Sequence, residues 1–332
     1  MTSRPNPDRA RLLSLLDPVE GGLQRMRVVL AEQLSEDSPA VADMVSHVAR
    51  FQGKQLRAAL VLLVGDATGN TTDEHAAVAA VVELIHLATL VHDDILDGAE
   101  VRRRVACVNQ RWDNQIAVLL GDFLYARAFA RSTVLSSRLC SVLLSETTRT
   151  LCVGEIEQAA RRYDFEMSQE AYEKIAGAKT GSLYAAACEL GARYPGGNEE
   201  LGARMARMGH IFGLAFQIVD DCLDVMGSQD IVGKTIGTDV EDGKVTLPVL
   251  HVYAAADEAT RAVIRDTYTM PGIENRAKVL RERIDLNPGI EYAMGRAHQL
   301  IQEAEEIILA LPPSPARASL EGILDFVLAR SF

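Results

Sequence analysis

The chain of 332 residues is 48% hydrophobic but only 5% aromatic, with Ala and Leu recurring throughout, a balance that favours helices packed on helices. A formal net charge of -12 excludes nucleic acid and anionic membrane surfaces as partners, so any phosphate substrate must be held by local cations. The five cysteines, Cys107, Cys140, Cys152, Cys188 and Cys222, are scattered and odd in number without a C-x-x-C pair, which fits a reducing cytoplasm better than a disulfide scaffold.

In chain order, Met1 to Leu12 carries Arg4, Pro5, Asp8 and Arg9 and no apolar core, unlike a secretory signal, and the expected location is cytoplasmic. A first helix is predicted over Asp8 to Leu34, with further helices after Gly53 and after Gly69-Asn70. Thr71 and Glu74 have the spacing of a capping box, and Asp73 adds favourable charge, so a helix is predicted from Asp73 to Asp97. Its most apolar stretch, Ala76 to Val91, carries Glu83 and His86 and is too short to span a membrane. Turns are predicted at Tyr194-Pro195-Gly196-Gly197-Asn198, at Pro271-Gly272 and at Pro312-Pro313-Ser314-Pro315. The segment Gly227 to Gly243 holds four glycines and little helical periodicity, and reads as a long functional loop. No linker separates domains, so residues 1–332 are expected to form one all-α domain, a bundle of many helices.

Leu87 to Asp97 and Leu214 to Asp224 match one another at Leu, Ala, two adjacent Asp, Leu and a final Asp, one chemical device used twice. Within each, Asp93 and Asp97, or Asp220 and Asp224, stand four apart and stack on one helix face, while Asp94 or Asp221 sits about 100° round. Three such close carboxylates resist ionising unless cations neutralise them. Hard oxygen ligands favour magnesium, which shares its shell with water and substrate phosphates, so the implied ligand is a diphosphate. Paired aspartates at one helix end are often only solvated charge; two matching clusters, each after an apolar run, argue against that. The counter-charges are Lys54 and Arg57, three apart and hence predicted on one helix face, Arg102-Arg103-Arg104, Lys179 at the end of a run, and Lys234 and Lys244 in or beside the glycine-rich loop.

From Gly53 to Pro248 the chain resembles a trans-type polyprenyl diphosphate synthase of the medium- to long-chain kind. The resemblance rests on an ordered series: Gly53 to Arg57, Glu83 to His86, Asp93 to Asp97, Arg102-Arg103, Gly121-Asp122, Lys179-Thr180, Phe216-Gln217, Asp220 to Asp224, Gly233-Lys234 and Gly243 to Pro248. It implies an isoprenoid-synthase bundle around a central cavity, and head-to-tail condensation of isopentenyl diphosphate with an allylic diphosphate. Asp93, Asp97 and Asp220 would then hold three magnesium ions, with Asp94, Asp221 and Asp224 in support. Arg102, Lys179, Lys234 and Lys244 would hold the allylic diphosphate, and Lys54, Arg57, His86 and Arg103 the isopentenyl diphosphate. Thr180 and Gln217 would stabilise positive charge or position groups nearby. The released diphosphate would remove the last proton, which agrees with the absence of a nucleophile and activating base.

Gln55, Ala58, Arg104, Ala106 and Cys107 depart from the family pattern, and Arg104 in place of the usual Gly reduces backbone freedom while adding charge. The resemblance runs the growing tail from Asp93 toward the start of its helix, past Thr89 and Ala88. Both are small, which predicts a product longer than farnesyl and longer than geranylgeranyl unless Phe129 or Tyr125 closes the floor. Small residues there also let helices approach, and a farnesyl or geranylgeranyl synthase is the alternative. Terpene cyclases lack a second diphosphate to hold, so Lys54, Arg57 and His86 argue against one. A non-catalytic partner subunit could lose acidic residues, and none is lost here. The resemblance further implies a homodimer, for which the apolar face of the Trp112 to Val134 helix is the candidate surface.

Overall fold

The computed structural model describes residues 7–51, 53–103, 105–227 and 237–329, so Arg104, Gly233 and Lys234 lie outside the described residues. The helix expected over Asp8 to Leu34 is interrupted, because Pro18 has no N–H to continue the ladder. It forms α1 (Pro7–Leu16), a 3-10 turn over Asp17–Val19 and α2 (Glu20–Gln33). There follow α3 (Pro39–Val48), α4 (Leu56–Ala67) and α5 (His75–Leu96). A small departure from the all-helical pattern comes next, a ribbon of β1 (Val101–Arg102) and β2 (Val105–Ala106), antiparallel with Arg102 opposite Val105. The chain continues through α6 (Val108–Arg111), α7 (Asn114–Thr133), α8 (Leu139–Ala160) and α9 (Gln169–Ala176). A π-turn over Gly177–Gly181 leads into α10 (Ser182–Arg193) and the long α11 (Glu199–Met226). Within the segment read as a loop lies a short helix, α12 (Thr238–Glu241). Last come α13 (Leu247–Ala255), α14 (Glu258–Thr269), α15 (Arg276–Arg283), α16 (Asn287–Leu309) and α17 (Pro315–Leu328).

The predicted turns fall where expected. Asn198 and Ser314 in them cap α11 and α17, each side chain accepting from the N–H three residues on. The predicted capping box before α5 does not form. Glu74 stands at the cap position, but its carboxylate reaches across to Tyr194 Oη at 2.6 Å and to Ser136.

Helix α5 is the axis of the bundle. Val78, Ala79, Ala80, Val81, Leu84 and Ile85 along it are fully buried, each larger side chain worth about 1.5–3 kcal/mol of removal from water. It packs on α2, α4, α7 and α10, while α11 packs on α10 and α16. Glycines permit the closest approaches: a Cβ at Gly191 would strike the Val61 carbonyl of α4, and one at Gly209 the Tyr184 carbonyl of α10. The expectation that the apolar stretch of α5 is too short to span a membrane is corrected, since the helix at 22 residues is long and apolar enough to do so; 89% of its most apolar window is instead buried inside the bundle. What this packing leaves at one end of the bundle is the pair of acidic helix ends, α5 and α11.

Candidate active site

Both aspartate triads sit at helix C-termini, where the unpaired carbonyls add negative potential to the carboxylates. Asp97 ends α5 with its N–H on the Asp93 carbonyl at 2.8 Å, so these two stand one turn apart as predicted. Asp94 turns inward. Its Oδ1 takes Arg102 Nε and Nη2, both at 2.6 Å, while its Oδ2 is buried with no partner. Arg102, the side chain expected to hold the allylic diphosphate, is thus committed to an aspartate. Burial pushes Asp93 up to about 6, with Lys179 pulling it back. Burial would also raise Asp97, but Lys244 and Lys179 outweigh it and its carboxyl lies below the usual range.

The second triad is braced from outside. Asp221 is buried and accepts from Tyr172 Oη at 2.5 Å and from Gln217 Nε2 at 2.7 Å; Gln217 Oε1 in turn accepts from Thr180 Oγ1 at 2.7 Å. Burial raises the Asp221 carboxyl well above its ordinary range, and Asp239 adds to it. Asp224 accepts from the N–H groups of Gly237 at 2.9 Å and Asp239 at 3.2 Å, and burial with the Asp239 charge pushes it up to about 7. Asp220 is half-buried beside them.

Lys244 joins the two triads. Its ammonium is 2.8 Å from Asp97, 3.1 Å from Asp242 and 3.8 Å from Asp239, whose own N–H holds Asp224. Lys179 lies between Glu155 at 2.9 Å and Gln158 Oε1 at 3.1 Å, and Asp93 and Glu155 hold it charged against the cost of burial. Instead of ending a run, Lys179 and Thr180 lie inside the π-turn, whose wider winding carries α9 into α10 without a break.

The other basic group is placed differently from the sequence expectation. Lys54 and Arg57 do not share a helix face, because α4 begins only at Leu56 and Gln55 before it has φ 52°. Lys54 Nζ stands 4.6 Å from the Phe326 ring centre, and the Arg57 guanidinium 4.2 Å from that of Tyr184. Arg57 Nη1 is 3.1 Å from His86 Nε2. Arg103, at φ 52°, donates to the Phe51 carbonyl. Beneath them Glu83 is buried, accepts from the Ala58 N–H at 3.1 Å, and is raised by burial against the pull of Arg57 and Arg103. Ala88 is fully buried, and the Thr89 hydroxyl bonds back to the His86 carbonyl at 2.8 Å. Tyr125 packs beside His92, 5.9 Å between ring centres, and feels the charge of Asp93; it stands at the acidic end of α5 and not at a floor further down.

Among the described residues no three Asp, Glu, His or Cys converge tightly enough to hold a metal ion unaided. The donors nevertheless suit magnesium: they are carboxylates, Asp93 and Asp224 ionise reluctantly, and Asp94 Oδ2 has no partner. A hard cation that completes its shell with water and phosphate oxygen fits such a set. Sequence reasoning missed Tyr172, Glu155, Asp239 and Asp242. Glu155 and Gln158 are three apart and could have been read as one polar helix face, whereas Tyr172 reaches Asp221 across 49 residues with no local signal.

Residues 38–284 match the model of the Polyprenyl synthetase family. Heptaprenyl diphosphate synthase component 2 of Bacillus subtilis is 32% identical over 303 residues, covering 91% of this chain and 86% of its own. Nonaprenyl diphosphate synthase of Mycobacterium tuberculosis is 32% identical over 317 residues, covering 94% and 93%. Among solved structures, a polyprenyl synthase from Caulobacter crescentus superposes with TM-score 0.90 at 29% identity over 96% of this chain and 97% of that one. The geranylgeranyl pyrophosphate synthetase of Pyrococcus horikoshii gives 0.83 at 29% identity over 96% and 98%. With the family model matched over residues 38–284, a span that holds both acidic helix ends, and the bundle matched along nearly its whole length, this chain belongs to the polyprenyl synthetase family of trans-type prenyltransferases, among its medium- to long-chain members.

Proposed function

We propose that the chain condenses isopentenyl diphosphate head-to-tail with an allylic diphosphate, releases diphosphate, and makes a product longer than geranylgeranyl. The observation that carries the reading is the chain of contacts from Asp97 through Lys244 to Asp239 and Asp224, which links the acidic ends of α5 and α11, with Lys244 lining one pocket with Lys179 and Gln217. Asp93, Asp97 and Asp220 would hold magnesium, three ions by family likeness, and the Caulobacter relative was solved with calcium and isoprenyl diphosphate. When bound, the magnesium supplies positive charge against the leaving diphosphate.

Lys179 and Lys244 exchange their carboxylate partners for the diphosphate of the allylic substrate. The carbon–oxygen bond breaks with its electron pair going to that diphosphate. Lys54, Arg57, His86 and Arg103 orient the isopentenyl diphosphate so that its double bond attacks the allylic carbon. Thr180 and Gln217, hydrogen-bonded to one another, would turn their oxygens toward the developing cation. The freed diphosphate then takes the proton that restores the double bond. Small Ala88 and Thr89 on α5, together with relatives named for heptaprenyl and nonaprenyl products, support the long product. Among the described residues one hydrophobic core takes in side chains from Leu12 to Val327, which supports one domain over 1–332, and the exposed apolar side chains of α7 and α8 support a homodimer.

Purified protein would be given magnesium, labelled isopentenyl diphosphate and, separately, dimethylallyl, geranyl, farnesyl or geranylgeranyl diphosphate, and its products resolved by length. Metal-dependent products beyond geranylgeranyl are expected. Products ending at geranylgeranyl would refute the length, and consumption of an allylic diphosphate without isopentenyl incorporation would make it a cyclase. The names of two Bacillus-type relatives as component 2 favour one further reading, a subunit active only with a partner. No turnover by the chain alone would select it.

A further inference from the structure

Between α8, α9, α11 and the start of α13 lies a small pocket, lined on its polar side by Gln158, Arg161, Lys179, Gln217, Lys244 and Thr246 together with Tyr172 and the Asp221 that Tyr172 caps. Three of these are cations, in a chain whose net charge is -12. Lys179, Gln217 and Lys244 are already assigned above. Arg161 and Thr246 are not.

Thr246 is at the cap position of α13, yet its hydroxyl makes no cap bond, and Pro248 removes the N–H that would sit at the second helical position. Thr246 is only 5% exposed, and its Oγ1 has no hydrogen-bond partner. A buried hydroxyl left unpaired is costly, and beside two lysines it waits for an acceptor that carries negative charge. Arg161 lines the same pocket while resting on Asp164 at 3.2 Å and Glu157 at 3.7 Å, both partly exposed, so that it can change partners at little cost. Its loop is registered on the lysine: the Tyr163 N–H donates to the Gly243 carbonyl at 2.8 Å, and the Tyr163 ring fills the space a Cβ at Gly243 would need.

We propose that Thr246 and Arg161 are further diphosphate-binding residues, the hydroxyl donating to a diphosphate oxygen and the guanidinium turning from Glu157 and Asp164 onto the same anion. The proposal rests on the reading of Lys179 and Lys244 as diphosphate ligands. The allylic substrate and the released inorganic diphosphate share this chemistry.

The test measures calorimetric binding of inorganic diphosphate with magnesium to the full chain, alongside KM for geranyl and isopentenyl diphosphates. Thr246→Val is expected to weaken inorganic diphosphate about tenfold or more, the loss of a hydrogen bond to a charged group, while Thr246→Ser stays within about twofold. Arg161→Gln is expected to weaken it about threefold and flatten its salt dependence. KM for isopentenyl diphosphate stays within about twofold in all three. A parallel rise in KM for geranyl diphosphate places both residues on substrate and product; a loss confined to inorganic diphosphate places them on the product. Wild-type affinity in Thr246→Val, a Ser variant as weak as Val, or a matching rise in KM for isopentenyl diphosphate overturns the proposal. Should Thr246→Val not fold, Arg161→Gln at its half-exposed position decides alone. Diphosphate binding that is lost in the variants of a chain that never incorporates isopentenyl diphosphate would uphold the pocket and sink only the reaction.

Discussion

Glu83 and Asp94 are both buried carboxylates on α5, and they differ in what holds them. Asp94 meets its guanidinium at 2.6 Å, whereas Glu83 is tied to the Ala58 N–H at 3.1 Å and feels Arg57 and Arg103 through space. Removing Arg102 therefore leaves an uncompensated charge: Arg102→Met should cost about 3 kcal/mol in urea unfolding, with the midpoint falling and the slope unchanged. Glu83→Gln keeps the acceptor for Ala58 and removes only the charge. Since burial raises Glu83 above its unfolded value of 4.5, the folded state binds the proton more tightly than the unfolded chain. Its contribution to stability is then fully present below that unfolded value and is lost as pH rises through the folded one. Thermal melts across pH 4 to about 9 should show Glu83→Gln gaining on wild type as pH rises. A flat difference across pH would show that burial does not hold the proton on Glu83.

At the scale of elements, what the sequence made legible is what repeats locally. The stacking of Asp93 over Asp97 follows from the helix period alone, and the caps Asn198 and Ser314 follow from residue type beside a turn. Glu74 shows where local reading stops. Its capping spacing is real, but Tyr194, 120 residues away, offers a phenol that the box cannot match. The expectation for Lys54 and Arg57 fails for a related reason, since the left-handed Gln55 delays the start of α4 to Leu56, past Lys54, which no propensity predicts. Tyr172 on Asp221 was invisible because its meaning lies wholly in tertiary packing. Ala88 is the element-scale test of product length. It is fully buried on α5 five residues before Asp93, so Ala88→Phe should place a ring beside the growing tail and shorten the longest product by several isoprene units, read by chromatography of the dephosphorylated products. An unchanged product distribution from a folded variant would move the tail away from this face of α5.

At the scale of the whole molecule, one surface remains apolar without cover. Val118 and Leu119 of α7, Val134 after it, and Val142, Val153 and Ile156 of α8 are between 45% and 68% exposed, although the core beneath them is closed. Scattered single apolar residues need no explanation, but these come from two adjacent helices that also carry Glu155 to the lysine at the site. Val142, Val153 and Ile156 recur at spacings of eleven and three, so they lie along one face of α8. A two-fold pair burying this face would cover the same patch on both copies, as such symmetry requires. It would also stiffen the helix that holds Glu155 against Lys179. Replacing Leu119 and Ile156 together by Glu puts two like charges into each half of that contact, so wild type should sediment as the proposed dimer and the variant as a monomer with its helical circular dichroism kept; a monomeric wild type would refute the pairing. Because α8 positions Glu155, the separated chains should also bind the allylic substrate more weakly. A monomer with undiminished affinity would show that pairing and the site are independent, and a persistent dimer would place the interface elsewhere.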